Sequence, residues 1–259
     1  MAAMKSSQPI PTPEQAEAYR REGYLRFGQL FNEEELGELS RTIDYLIETL
    51  PKGKRPEHLD VPHFDHPCLM KFLTHPAVLD AVEALIGPDI TLWSSHFISK
   101  PGGDGLPVSW HTDADYWKGR LQPIEVVTVW LAVDRSNREN GCMRVIPGTH
   151  HERKERRYRD LPEGSNVFGT TLEENEIDEA KVVDIELEAG ECSFHDAWLI
   201  HGSLPNHSPR RRCGYTMRYM PSSVVFAPLG PRDTHKVFLV RGKDLSGGKT
   251  IYTEIPKPV

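Results

Sequence analysis

Five residues of this chain have types and a spacing that could do chemistry: His111 and Asp113 in His111-Thr112-Asp113, then His201, Ser203 and Arg212. Two imidazoles and one carboxylate are the protein ligands of the facial arrangement that holds non-haem Fe(II) and leaves other coordination positions open. A guanidinium soon after the second histidine can grip the far carboxylate of an oxo-acid chelated to that metal, because its planar fork donates two parallel hydrogen bonds. The chemistry expected of such a set is activation of dioxygen.

The His-x-Asp spacing is cheap, and the chain contains it twice. His63-Phe64-Asp65, with His66 adjacent, repeats it in a proline-flanked stretch between predicted helices, where a polar loop or pocket rim is the expected role. His195 lies close before His201 and is expected to pack beside the site rather than join it. His150-His151-Glu152 follows Pro147-Gly148-Thr149 and reads as a surface turn. Only the combination of His111, Asp113 and His201 with Ser203 and Arg212 selects a metal site.

These residues need strands to position them. In a strand, residues i and i+2 share a face, so His111 and Asp113 are expected to reach one ion together while Thr112 turns away. His201, ending an apolar strand, would complete the set from across the fold. Segments 90–99, 108–111, 124–133, 143–146, 182–187, 191–195, 198–201 and 213–219 are β-branched or aromatic and separated by Gly, Pro, Asn and Asp. Short strands at this spacing predict a mainly β, closed antiparallel architecture, a jelly roll or barrel.

Residues 1–89 are expected to be mainly helical support packed outside it. Thr12-Pro13-Glu14-Gln15 carries the signals of a helix start. A second helix follows Asn32, with Leu36, Leu39, Ile43, Leu46 and Leu50 on one face. A third runs from Pro76 to Gly87-Pro88 and buries Val78, Leu79, Val82 and Leu85. Residues 51–68 read as a loop, and 153–181 as a polar insertion over the mouth of the core. The whole chain, 1–259, reads as one domain, with the core at 90–241 and a tail at 242–259.

Composition narrows the partners. Net charge is −7, with 27% charged and 38% apolar residues, so no global basic field recruits nucleic acid or an anionic membrane. The basic runs 153–157 and 210–212 are expected to be solvated, Arg212 excepted. No apolar stretch approaches membrane-spanning length, and residues 1–11 contain no apolar core of a secretory signal. Cys68, Cys142, Cys192 and Cys213 are far apart, which argues against a disulfide framework or zinc ribbon and favours a reducing cytoplasm. Oligomeric state is not legible.

Three segments together resemble the phytanoyl-CoA dioxygenase family: His111-Thr112-Asp113, the run from Asn140 to His150 (NGCMRVIPGTH), and His201-Gly202-Ser203 followed by Arg212. Tyr19 to Leu25, leading into Leu30-Phe31-Asn32-Glu33, is similar to that family's opening helix and strand. The resemblance spans nearly the whole chain. It implies a double-stranded β-helix (cupin-like) core and an Fe(II)-dependent oxygenase with 2-oxoglutarate and O2 as cosubstrates. His111, Asp113 and His201 would be the iron ligands. Arg212 would pair with the 5-carboxylate of 2-oxoglutarate, and Ser203 would help to hold it. Trp130 would line the cosubstrate pocket, once a one-residue insertion after Asp113 is allowed. Strand alternation would let Arg210 share the face of Arg212, so the choice of Arg212 rests on the family spacing. Oxidative decarboxylation would give succinate and CO2 and oxidise a C–H bond. In related halogenases a small residue replaces the carboxylate, so Asp113 favours hydroxylation, desaturation or ring closure.

The substrate is harder to read. Alternation in 90–99 predicts Leu92, Ser94, His96 and Ile98 on one face and Trp93, Ser95 and Phe97 on the other. His96, Tyr116 and Trp117 are candidate substrate contacts, with Trp110 a further rim residue. Residues 236–241 are expected to close over the mouth, and Lys100 and Arg241 to be solvated surface. An acyl-CoA would need a basic docking surface, so a small metabolite is expected instead. The alternatives are a cupin-like metalloenzyme that does not use 2-oxoglutarate and a barrel that binds ligand without chemistry.

Overall fold

The computed structural model describes residues 9–256. Most of the polar N-terminal stretch and the last three residues of the tail lie outside that range. Helix α1 (Pro13–Glu22) starts where Thr12 and Gln15 cap each other reciprocally, and it stops at Gly23, whose φ of 80° is left-handed. Helix α2 (Glu33–Glu48) opens with the same device, Asn32 with Glu35, and buries Leu39, Ile43 and Leu46. Leu36 is half-buried, and Leu50 lies beyond the helix end. Two more helices follow, α3 (Met70–Leu73) and α4 (Pro76–Ile86), the latter burying Val78, Leu79, Val82 and Leu85. A last short helix, α5, covers Asp113–Tyr116.

The strands are β1 (Tyr24–Gln29), β2 (Leu59–Asp60), β3 (Ile90–Lys100), β4 (Val108–His111), β5 (Leu121–Gln122), β6 (Val127–Ala132), β7 (Met143–Val145), β8 (Tyr158–Asp160), β9 (Thr170–Leu172), β10 (Val183–Ile185), β11 (Glu191–Asp196), β12 (His201–Ser203), β13 (Arg212–Pro221), β14 (Val225–Phe226) and β15 (Phe238–Arg241). The major sheet runs β1-β11-β6-β13-β3-β15, with β2 also on β3, and the minor sheet runs β10-β7-β12-β4. Every pairing among these strands is antiparallel. The architecture is a jelly-roll core with helices outside.

Two expectations about the periphery change. The first ninety residues are not only helix and loop, because β1 pairs with β11 as an edge of the major sheet. The 236–241 segment is no flap: β15 is the opposite edge, hydrogen-bonded to β3.

Alternation along the major sheet separates scaffold from site. On β6, Val127, Val129 and Leu131 join the core formed with the helices, while Trp130 and Ala132 belong to a cluster on the other face with Met143 and Val145 of the minor sheet. On β13, Cys213, Tyr215, Met217 and Tyr219 face the helices. Arg212, Thr216 and Arg218 face the space between the sheets.

Strand β3 departs from the expected faces. Its register against β13 skips Trp93, since Arg218 pairs with Ser94 and Tyr219 with Leu92. This one-residue bulge swings Trp93 onto the inner side with Ser94 and His96 and leaves Leu92 in the helix-side core with Phe97.

The polar insertion is built rather than loose. Its β8 and β9 form a hairpin, and Asn166 Oδ1 accepts from Ser109 N at 3.1 Å. Arg156, expected in solvent, is buried and paired with Glu176 at 2.9 Å. His150, expected on a surface turn, is also buried, its Nε2 bonded to the Arg20 carbonyl at 2.9 Å.

Candidate metal centre

His111 is the last residue of β4 and His201 the first of β12, and the two are direct partners in the ladder. Their rings lie 4.1 Å apart, centroid to centroid. Each is oriented the same way. His111 Nδ1 sits 2.8 Å from Ser109 O, and His201 Nδ1 2.9 Å from Leu199 O. A carbonyl only accepts, so each Nδ1 carries the proton and each Nε2 keeps a free lone pair.

Asp113 joins them by a different route from the one the sequence suggested. Strand β4 ends at His111, Thr112 is extended, and Asp113 is the first residue of α5. The turn into that helix, not strand alternation, brings its carboxylate to 3.6 Å from His111 Nε2. Thr112 does point away, to Asp115 Oδ2 at 2.7 Å. One ligand atom from each of His111, Asp113 and His201 lies within 4.8 Å of the others, and all three residues are buried. Among the described residues no other group of His, Cys, Asp or Glu gathers this way.

The electrostatics suit a divalent cation. Burial pushes the Asp113 carboxyl up, but the Arg218 charge and the adjacent His111, His195 and His201 rings together hold it well below the usual range. Burial, then the neighbouring His111 and His195, keep His201 well below its usual range and therefore neutral. His195 packs beside the site as expected, with Nε2 3.8 Å from Asp113 Oδ2 and its ring 4.6 Å from that of His201.

A narrow cavity runs from these ligands to Arg212, past Trp130, Met143, Ser203, Thr216 and Ile98. Arg212 is 1% exposed, and the only hydrogen bonds of its guanidinium among the described residues, to Ser203 Oγ and Ile98 O, are long at 3.4 Å. Among the described residues its Nε has no partner. A buried guanidinium this poorly satisfied is built for an anion. Trp130 lies 5.4 Å beneath it, and Gly214 makes room for that ring: a Cβ on Gly214 would come within 2.1 Å of it. Arg210 and Arg211 are not competitors. They leave the cavity to pair with Glu139, and with Asp134 and Asp44.

Lys100, expected in solvent, is the residue that sequence reasoning missed. It is fully buried, directly opposite Arg212 in the sheet, and donates to Ser203 Oγ at 2.7 Å and to Leu204 O. Burial, then the Arg212 charge, push its pKa down to about 5. Continuing the alternation of Ser94, His96 and Ile98 by one more step would have found it.

On the far side of Asp113 a larger, open cavity of about 420 Å³ is lined by Trp93, His96, Tyr116, Trp117, Arg120, Phe168, Arg218 and His235, among others. His96, Tyr116 and Trp117 therefore come together beside the ligands. Phe168, from the insertion, lines both cavities and sets its ring edge-on to His111 with centroids 4.7 Å apart. Trp110 lines neither cavity and lies under Arg144. His63 is not a polar rim residue: it is buried, its Nδ1 2.8 Å from Ser95 Oγ, and burial takes its pKa down to about 3. Arg241 pairs with Asp80 and Glu83 at the surface, both at 2.8 Å.

Known proteins resemble this chain in sequence and in fold. Human "Phytanoyl-CoA dioxygenase, peroxisomal" is 32% identical over 142 residues, covering 53% of this chain and 41% of that protein, so the match spans about two-fifths of that relative's length. A Caenorhabditis elegans "Probable phytanoyl-CoA dioxygenase" is 27% identical over 244 residues, covering 81% of this chain and 75% of the other. Among solved structures, a non-heme monooxygenase, the ThoJ–Ni complex, superposes with a TM-score of 0.70 at 26% identity, over 94% of this chain and 89% of that one. Residues 19–214 match the family model described as phytanoyl-CoA dioxygenase (PhyH), and the chain belongs to that family.

Proposed function

We propose that the protein is an Fe(II)- and 2-oxoglutarate-dependent dioxygenase that oxidises an unactivated C–H bond of a small-molecule metabolite. One observation carries the reading. Two imidazoles and a carboxylate converge at one end of a narrow cavity, and a poorly satisfied buried guanidinium waits at the other. The donor set suits Fe(II), and the cavity joins it to a site for the distal carboxylate of a short dicarboxylate.

On this reading His111, Asp113 and His201 hold the metal, which supplies oxygen activation coupled to decarboxylation of 2-oxoglutarate to succinate. Arg212, with Ser203 and Lys100, receives the 5-carboxylate, and Trp130 forms a wall. The Ser109 and Leu199 carbonyls fix the imidazole orientations. Phe168 and Tyr116 limit water at the ligands from the side of the larger cavity, where the substrate would lie against His96 and Trp117. Asp113 fills the position that would otherwise admit a halide, which favours oxygenation. The free thiols of Cys68, Cys142, Cys192 and Cys213 suit a reducing cytoplasm.

The test is uncoupled turnover. Protein loaded with Fe(II) under nitrogen and then exposed to air is expected to convert 2-oxoglutarate to succinate. His111→Ala is expected to lose iron and turnover while keeping its circular dichroism spectrum. Iron retained at one equivalent but no succinate, with or without candidate substrates, would favour the cupin-like alternative.

A further inference from the structure

The charges of the larger cavity say something about the substrate, given the oxygenase reading above. Its wall holds two guanidiniums, Arg120 and Arg218, and two carboxylates, Asp60 and Asp113. Arg120 is matched by Asp233 at 2.9 Å. Asp60 stands at the rim, its side chain 65% exposed and 3.7 Å from His96 Nδ1. Arg218 is different. Its side chain is 11% exposed and lies over the Trp117 ring, and its one ion-pair partner among the described residues is Asp113, through Nε at 3.4 Å.

Asp113 cannot serve both Arg218 and a metal at full strength. A dication held by Asp113, two neutral imidazoles and the proximal carboxylate of 2-oxoglutarate is already neutral, and the distal carboxylate meets Arg212. Arg218 is then a mostly buried cation without an anion of its own, which is costly in a low-dielectric wall. Two further buried donors in the same wall, Arg120 Nη1 and Trp93 Nε1, have no hydrogen-bond partner among the described residues. A molecule that fills the cavity can supply the acceptors.

The rest of the wall gives the shape. Trp93 and Trp117 meet edge to face at 6.0 Å, and Tyr116 and Phe168 pack at 5.3 Å beside them. The space between suits a flat, apolar body. We propose that the substrate is an organic acid whose carboxylate is received by Arg218 and whose cyclic or unsaturated body lies among Trp93, Trp117, Tyr116 and Phe168.

The probes are trans-cinnamate, phenylacetate and indole-3-acetate, each paired with its primary amide. Binding is measured by titration calorimetry and by tryptophan quenching, on protein loaded with Mn(II) and 2-oxoglutarate under nitrogen. At least one acid is expected to bind about tenfold or more tighter than its amide, the scale of a charge-assisted bond. At saturating Mn(II), Arg218→Gln is expected to abolish that preference while leaving amide binding unchanged, and Arg218→Lys to restore part of it. Acids and amides binding alike, or neither binding, overturns the proposal. So does equal loss of both in Arg218→Gln, which would leave Arg218 as a positioning residue for Asp113. Uncoupled succinate formation, assayed on the same iron-loaded preparation, separates the two readings. Succinate without acid preference sinks this proposal alone, and acid preference without succinate sinks the oxygenase reading.

Discussion

At the scale of single residues, Lys100 and Arg212 pose a problem that their burial sharpens. Two buried cations side by side repel, and the lysine is the one that can yield, its pKa pushed down to about 5 against an ordinary 10.5. Between those values the unfolded chain binds the extra proton, so this residue makes folded stability rise with pH across that window. A carboxylate arriving from 2-oxoglutarate reverses the preference and favours the charged amine. Binding at pH 7 is therefore expected to take up close to one proton, read as a buffer-dependent heat in titration calorimetry and absent in Lys100→Met. Arg212→Ala is expected to weaken 2-oxoglutarate by about 10- to 100-fold, whereas Arg210→Ala and Arg211→Ala leave it unchanged. An equal effect in all three would remove Arg212 from the role. The convergence of His111, Asp113 and His201 was legible from their combination with Ser203 and Arg212, but the route of Asp113 was not, because it arrives through α5 and not by strand alternation. Lys100 was not, because a strand read as ending at Ser99 leaves the next residue in solvent.

At the scale of elements, the helices could be read where local chemistry dictates them: the reciprocal caps of Thr12 with Gln15 and Asn32 with Glu35 mark where α1 and α2 begin. The inner face of β3 could not, since a bulge depends on the partner strand and one extra residue exchanged Leu92 for Trp93. The insertion was legible as an insertion but not as a wall. Its hairpin, anchored through Asn166 to β4, presents Phe168 to His111. Phe168→Ala would join the two cavities and admit water to the ligands. The expected result is a several-fold rise in succinate formed without substrate, with 2-oxoglutarate affinity unchanged. A fall in affinity instead would place the ring in the cosubstrate site.

At the scale of the whole molecule, the major sheet divides labour between its faces. Helices and the largest apolar core lie on one side, and the ligands and both cavities on the other. Ile43, fully buried in α2, belongs to the first side. Ile43→Ala is expected to cost about 2–5 kcal/mol in urea unfolding with Mn(II) affinity unchanged, and a matching loss of metal would contradict the division. Fold class was readable because period-two segments punctuated by Gly and Pro leave few architectures open. The larger cavity was not, since it draws Trp93, Phe168, Arg218 and His235 from elements far apart in the chain.

The direct pairing of His111 with His201 has one more consequence. Their separation is set by the backbone ladder, so strand pairing rather than the ion places the two imidazoles side by side. A ready-made nitrogen and oxygen site ranks divalent ions by their intrinsic order, in which copper and nickel outcompete iron. Occupancy in the cell would then follow which ion is plentiful when the finished protein meets it, and purified protein would carry the history of its growth medium.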